Sequence, residues 1–237
     1  MSNATSGQSQ VAGSADVLTA DRVAAALRDD ILRGVLKPGA RLKDFELAER
    51  FDVSRNTLRE AVKQLGTAGL VTTRLNAGSA VRRLSEADAR EIYIIRRTLE
   101  LSGVDSLSRA GEAQMLNISA AIEEARRAAA ESDWSELSTA SLRFHQAVAA
   151  LNGSARLDAF FANVLAQLRL VNWVMTDEPS FQMQWVDRDK GIADLLLQGN
   201  RHEAHIKLSR YLDDSEALII NAIRRSPDGL ASASTSS

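Results

Sequence analysis

Three basic side chains recur at helical spacing in the run Val53-Ser54-Arg55-Asn56-Thr57-Leu58-Arg59-Glu60-Ala61-Val62-Lys63-Gln64-Leu65. Arg55, Arg59 and Lys63 stand at i, i+4 and i+8, while Leu58, Val62 and Leu65 at i, i+4 and i+7 form an apolar stripe on another face. Ser54 is a good N-cap residue, which places Arg55 and Asn56 in the first turn. A guanidinium offers two parallel donors that match the guanine edge, and an amide matches adenine. A helix with Arg and Asn at its start and an apolar back therefore suits the major groove of duplex DNA. The other reading of Arg55 and Arg59 is a solvated face with Asp52 and Glu60 as ion partners.

Chemistry-bearing residues are sparse elsewhere. The chain has no cysteine, which excludes a disulfide scaffold, a thiolate zinc site and a thiol nucleophile, and fits a reducing cytosol. His145, one helical turn after Ser141, is the one nucleophile-base candidate. His202 and His205 lie three apart on the closing helix and read as surface residues. No glycine-rich phosphate loop, zinc-protease motif or Ser-His-Asp signature occurs, so an enzyme is not expected. No apolar run approaches membrane-spanning length and no secretory pattern opens the chain; a cytoplasmic protein with no membrane partner is expected.

The elements that must position these residues fall into two unlike segments. Residues 1–18, rich in Ser, Gly, Ala, Gln and Thr, read as a disordered leader, and 226–237 as a disordered tail. From 19 to 84 the elements are short. Val23, Leu27 and Ile31 mark a first helix that Gly34 closes. Ala40-Arg41-Leu42 is extended, and Asp44 is expected to cap a second helix that buries Leu47 and Phe51. The arginine-bearing helix follows and ends near Gly66 to Gly69. Leu70-Val71-Thr72-Thr73 and Ser79-Ala80-Val81-Arg82 are β-prone, with Asn76-Ala77-Gly78 as the turn between them. Three helices and a hairpin make a winged helix-turn-helix. From 85 to 225 the spacing predicts helices over 86–108, 111–132, 134–151, 155–176, 181–198 and 201–224, hence a six-helix antiparallel bundle and a mainly α fold.

The net charge of −2 hides an asymmetry. Residues 20–84 carry 13 Lys and Arg against 8 Asp and Glu, whereas 85–237 carry 16 against 22. A basic head on an acidic body fits a polyanion-binding module joined to something else.

The chain resembles the GntR family of bacterial transcription regulators. The residues that carry this are Pro38-Gly39-Ala40-Arg41-Leu42, Glu46-Leu47-Ala48, Val53 to Ala61, Leu65 and Gly69-Leu70-Val71. The helical body resembles the FCD domain of the FadR-like subfamily through Ile94-Ile95-Arg96-Arg97-Thr98-Leu99-Glu100, Leu142-Arg143-Phe144-His145 and Asn152-Gly153. Six helices rather than seven resemble its VanR-type branch. The likeness covers residues 19–225 and implies a regulator, a repressor among the family's usual roles, that binds double-stranded, pseudopalindromic operator DNA as a homodimer.

The resemblance places Arg55, Asn56, Thr57 and Arg59 against operator bases or phosphates, with Lys43, Lys63, Arg74 and Arg82 as phosphate contacts. Gly78 at the wing tip is either a backbone contact or a simple hairpin glycine. Phe45 stands where many members carry a basic residue, which removes one phosphate contact. FCD domains commonly hold a divalent metal with one Asp and three His. The matching positions here are Ser141, His145, Asp189 and Tyr211. One of the four ligands is intact, so no metal or other cofactor is expected; a weak site of His145 and Asp189 is the one alternative. The effector implied is then a small organic carboxylate or acyl compound bound directly, lined by Arg96, Ser141, His145, Arg169, Asn172, Asp189 and Tyr211. Arg96 has a second reading, a structural ion pair with Glu100 or with an acid across the bundle. Trp173, Met175, Met183 and Trp185 are pocket walls or core. An architectural DNA binder without any ligand is the rival of this reading.

Overall fold

A computed structural model describes the backbone at residues 6–172 and 179–225, and side chains at 19–171, 183 and 185–225. The chain divides into two units, Met1–Arg83 and Leu84–Ser237.

The first unit runs α1 (Ser6–Leu32), β1 (Arg41–Leu42), α2 (Asp44–Phe51), α3 (Arg55–Thr67), β2 (Val71–Arg74) and β3 (Gly78–Val81). Val23, Leu27 and Ile31 of α1 are buried with Leu58, Leu65 and Leu70, each such side chain contributing about 1.5–3 kcal/mol by leaving water. The expected disordered leader is corrected at the described residues, since 6–18 belong to this helix: they adjoin a helix already nucleated by the core. Ser54 caps α3, accepting from the Thr57 amide at 3.1 Å. Asp44 does not cap α2; Lys43 occupies that position without a side-chain capping bond, and Asp44 is the first helical residue. Phe51 is half-buried rather than core, with the Arg50 guanidinium over its ring at 4.9 Å. The sheet is antiparallel, ordered β1-β3-β2, and pairs Arg74 with Gly78 across the turn. Asn76 and Gly78 both take positive φ, 61° and 77°, the backbone a tight hairpin needs.

The second unit consists of helical rods. The first comprises α4 (Glu86–Arg96), a π-helical turn at Arg97–Leu101 and α5 (Ser102–Asp105), with a 3-10 turn at Leu107–Arg109 beyond it. The others are α6 (Glu112–Ala130), α7 (Trp134–Ala150), α8 (Ala155–Asn172), α9 (Pro179–Leu197) and α10 (Arg201–Arg225). The expected uninterrupted helix over 86–108 is thus corrected by the π turn; residues 173–176 of the expected helix over 155–176 lie outside the described residues. Ser85 starts the first rod with a capping box: its hydroxyl accepts from the Asp88 amide at 3.2 Å while its own amide donates to Asp88 at 2.8 Å. Phe144, Val148, Phe161, Ile192, Leu208 and Leu212 lie in one core shared by these rods.

Gly103 shows how tightly the rods approach. A Cβ there would stand 2.2 Å from the Val148 carbonyl oxygen of α7, so only glycine fits. Next to it, the π turn loosens the backbone ladder, and Asn152 repairs it. Its amide donates to the Leu99 and Ala149 carbonyls at 2.8 Å each, and its oxygen accepts from the Ser102 hydroxyl at 2.8 Å. The Asn152-Gly153 pair thereby acquires a physical role: it ends α7 and secures the turn opposite.

Candidate nucleic-acid interface and candidate effector site

Helix α3 buries Leu58, Ala61, Val62 and Leu65 and exposes Arg55, Asn56, Arg59 and Lys63, the division that its spacing predicts. Between α3 and the hairpin lies an open groove of about 700 Å3, lined among others by Asp44, Arg59, Lys63, Gly66, Thr73 and Gly78. A Cβ at Gly78 would meet nothing within 4 Å; its glycine identity answers to the positive φ, and the tip is open to a partner.

Thr57 departs from expectation. It is 8% exposed, and its hydroxyl is 2.8 Å from that of Ser54, so it belongs to the cap rather than to the outer face. It sits one position before buried Leu58 and turns toward the same side as that residue.

The exposed basic groups have local partners. Arg59 Nε donates to Asp44 at 3.3 Å, Lys43 donates to Glu46 at 2.7 Å, and Lys63 lies 3.8 Å from Glu60. The Arg55 guanidinium lies 5.6 Å from the Phe45 ring centroid. Asp52 and Glu60 are not the partners of the two arginines; residues of α2 are. Exposed pairs of this kind contribute at most about 1 kcal/mol and do not withdraw the basic groups from another anion.

In the second unit the structure gathers Arg96, Glu100, His145, Ser141, Asp189 and Tyr211. Glu100 is fully buried and both its oxygens are used: Arg96 Nε donates to one at 2.7 Å and His145 Nδ1 lies 2.6 Å from the other. Burial alone would raise the Glu100 carboxyl, but the charges and hydrogen bonds of Arg96 and His145 outweigh it and hold the group below its ordinary value. Against an ionised carboxylate, Nδ1 of His145 is the donor, and Nε2 points the other way. That Nε2 faces Asp189 Oδ1 at 3.5 Å, and neither atom has a hydrogen-bond partner. The Ser141 hydroxyl donates to the other Asp189 oxygen at 2.6 Å. Burial pushes the Asp189 carboxyl up, against the pull of His145, Ser141, Tyr211 and Arg96. The Tyr211 ring is tilted against His145 and edge-on to Trp185, with centroids 4.8 Å apart in each case, and burial raises its hydroxyl well above its ordinary range.

Arg96 makes the ion pair of its second reading. Its Nε binds Glu100, while its Nη2 is buried and unpartnered. Arg169 does not join this cluster. Its Nη2 donates to the Ser135 carbonyl and hydroxyl at 2.9 and 3.0 Å, and Ser135 precedes His145 by ten residues, about 15 Å along α7. The Asn172 side chain, Trp173 and Met175 lie outside the described residues. Met183 is exposed, and Trp185 packs half-buried against the core. His202 is exposed and His205 stands 3.3 Å from Asp105 at the surface. Glu100 is the residue that sequence reasoning placed only as a possible partner of Arg96. Its junction with His145 has no signal in residue spacing.

The donor set does not fit the four-ligand metal that the resemblance implies. His145 and Asp189 supply one imidazole nitrogen and one carboxylate oxygen. Ser141 and Tyr211 supply neutral hydroxyls, and the Arg96 guanidinium adds a fixed positive charge beside them. Among the described residues no group of three or more His, Asp or Glu is placed to hold a metal ion.

A helix pair with an exposed basic second helix, followed by a hairpin across an open groove, defines a winged helix-turn-helix DNA-binding module on a helical bundle. The model of bacterial regulatory proteins of the gntR family matches residues 19–81, and that of the FCD domain matches 91–214. The chain belongs to the GntR family, in the group with an FCD domain, and is a DNA-binding transcriptional regulator rather than an enzyme. A structure described as a transcriptional regulator GntR from Rhodococcus sp. RHA1 is 39% identical, with a TM-score of 0.80 over 86% of this chain and 98% of that one. The gluconate operon transcriptional repressor of Bacillus licheniformis is 30% identical over 131 residues, 55% of this chain and 54% of that protein. A probable D-xylose utilization operon transcriptional repressor of Paenarthrobacter nicotinovorans is 37% identical over 87 residues, 35% of this chain and 38% of its own length. The chain thus spans about half or less of the curated relatives it matches. Among the described residues no helix is long and apolar enough to cross a membrane.

Proposed function

We propose that the protein binds a pseudopalindromic operator as a homodimer through α3 and the wing, and that a small organic acid or related metabolite in the helical domain controls its affinity. Arg55, Asn56 and Arg59 meet base edges or adjacent phosphates in the major groove, Lys43 and Lys63 meet phosphates, and Gly78 brings the wing tip to the backbone. Thr57 acts by holding the cap. The observation that carries the DNA reading is the exposure of Arg55, Asn56, Arg59 and Lys63 on a helix whose back is fully committed to the core.

The effector reading rests on three buried atoms without partners: Arg96 Nη2, His145 Nε2 and Asp189 Oδ1. Leaving such groups unsatisfied costs about 1–3 kcal/mol each, and a polar ligand relieves that cost. A carboxylate opposite Arg96 and polar groups opposite His145 and Asp189 match them, with Ser141 and Tyr211 beside. No metal is required for this. The affinity difference of the effector between DNA-fit and DNA-unfit states sets the size of the switch.

Native mass spectrometry of the purified protein with metal analysis tests the reading. A dimer carrying a small acid and no stoichiometric metal is expected. A dimer with one tightly held divalent ion per subunit contradicts the metal-free pocket. A mobility-shift assay in which Arg55→Ala and Arg59→Ala bind operator as wild type does contradicts the DNA reading.

A further inference from the structure

The first turn of α2 touches both arginines of α3, and it does so with two unlike side chains. Asp44, the first residue of α2, accepts from Arg59 Nε at 3.3 Å. Phe45, the second, lies under the Arg55 guanidinium at 5.6 Å. These contacts cross from one helix to the next, unlike the pairs Lys43–Glu46 and Lys63–Glu60, which stay within their own segments. Asp44 complements the N-terminal dipole of α2, but neither residue is needed for a cap or for the core. The Asp44 carboxylate caps nothing, and Phe45 is 63% exposed. Both are unfavourable on a surface meant for a polyanion: a carboxylate repels phosphate, and a phenyl ring forgoes the contact a basic residue would make.

We propose that Asp44 and Phe45 are positioning residues that orient Arg59 and Arg55 for base recognition, so that the base preference of the protein, and not only its affinity, depends on α2. The proposal rests on the reading that these two arginines meet base edges. A carboxylate on Nε leaves the two terminal nitrogens of Arg59 free as a fork and fixes the plane in which the fork lies. An aromatic face does the same for Arg55, since a guanidinium stacks flat. Two-point recognition of guanine is sensitive to that plane, whereas phosphate binding tolerates any orientation. Freezing the rotamers before the DNA arrives also removes part of the entropy cost at the moment of binding.

The test is selection from a random-sequence duplex library by the full chain, comparing wild type with Arg55→Ala, Arg59→Ala, Asp44→Asn, Phe45→Leu and Phe45→Tyr. Arg59→Ala is expected to flatten the preference at particular half-site positions, and Asp44→Asn to flatten those same positions by about fivefold or more. Binding of Asp44→Asn to a non-specific duplex should hold or rise, because an acidic group has left the groove. Phe45→Leu should flatten the positions that depend on Arg55, and Phe45→Tyr, which keeps the aromatic face, should restore them. Both side chains are at the surface, so the melting temperature reports that folding is intact. The proposal is overturned if Asp44→Asn and Phe45→Leu retain wild-type preferences and shift affinity equally for all sequences. If Arg55→Ala and Arg59→Ala themselves retain those preferences, the base-reading role of the arginines fails first, and the proposal with it.

Discussion

Two arginine-carboxylate pairs in this molecule are alike in chemistry and opposite in circumstance. Arg59 and Asp44 meet at 3.3 Å with side chains 65% and 40% exposed; Arg96 and Glu100 meet at 2.7 Å with 2% and 0% exposed. In the first unit water and salt screen the pair, its loss would strand no charge, and the terminal nitrogens of Arg59 stay open to a nucleic acid. In the second the partners are locked, because removing either leaves a charge in a medium that cannot solvate it. Charge at the surface of the head is therefore open to a partner, while charge within the bundle is locked and leaves only its unused atoms to a ligand.

That contrast can be broken in four places. The largest effect is expected from Glu100→Gln, which strands Arg96 and should cost about 3–5 kcal/mol in denaturant unfolding. Because the Glu100 carboxyl lies below its ordinary 4.5 when folded, its contribution is present above that value and lost as pH falls through the folded value. The penalty of the substitution should accordingly shrink in acid; a pH-independent penalty would show that the ion pair is not its source. Gly103→Ala comes next, at about 1–3 kcal/mol, because the new Cβ meets a backbone carbonyl rather than a movable side chain; an unchanged melting temperature would refute the close approach. Arg59→Ala should weaken operator binding by about 1–3 kcal/mol in a mobility-shift titration and leave the melting temperature within the spread expected of a surface change.

The smallest effect has the opposite sign. Asp189 is raised by burial from its ordinary 3.8, so it supports the fold below that pH and loses that support as pH rises through its folded value. Asp189→Asn, which has no charge to bury, should therefore gain on wild type as pH rises toward neutrality, by about 1 kcal/mol. Thermal melts across that range check it, and a variant less stable than wild type at neutral pH would place the carboxylate in a role that an amide cannot fill.

The sequence carried the head almost completely, because its signals are local. Ser54 as cap, the apolar stripe of Leu58, Val62 and Leu65, and the Asn76 to Gly78 turn each follow from a few neighbouring residues. What it missed there was also local but ambiguous. Asp44 and Lys43 compete for one cap position, and Thr57 has a side chain small enough to suit either face. In the body the rods were legible from periodicity, yet Arg97-Thr98-Leu99-Glu100-Leu101 contains nothing that announces a change of pitch. The π turn is set by packing against Asn152 and by the union of Glu100 with His145, 45 residues apart. Arg169 was drawn into the wrong neighbourhood for the same reason: its partner Ser135 is 34 residues away.

The π turn also limits how the chain can change. Such a turn fits one residue more than an α-helix would into the same length. Deleting a residue from Arg97–Leu101 would let the rod revert to regular pitch with the residues on either side kept on their faces, so that Gly103 would still meet the Val148 carbonyl. Adding a residue with no wider turn to absorb it would instead rotate everything beyond by about 100°. Ser102 would then face the Val148 carbonyl in place of Gly103, and a side chain would stand where none fits. The rod therefore loses a codon at this turn more easily than it gains one, because a glycine seated just past it fixes what must follow.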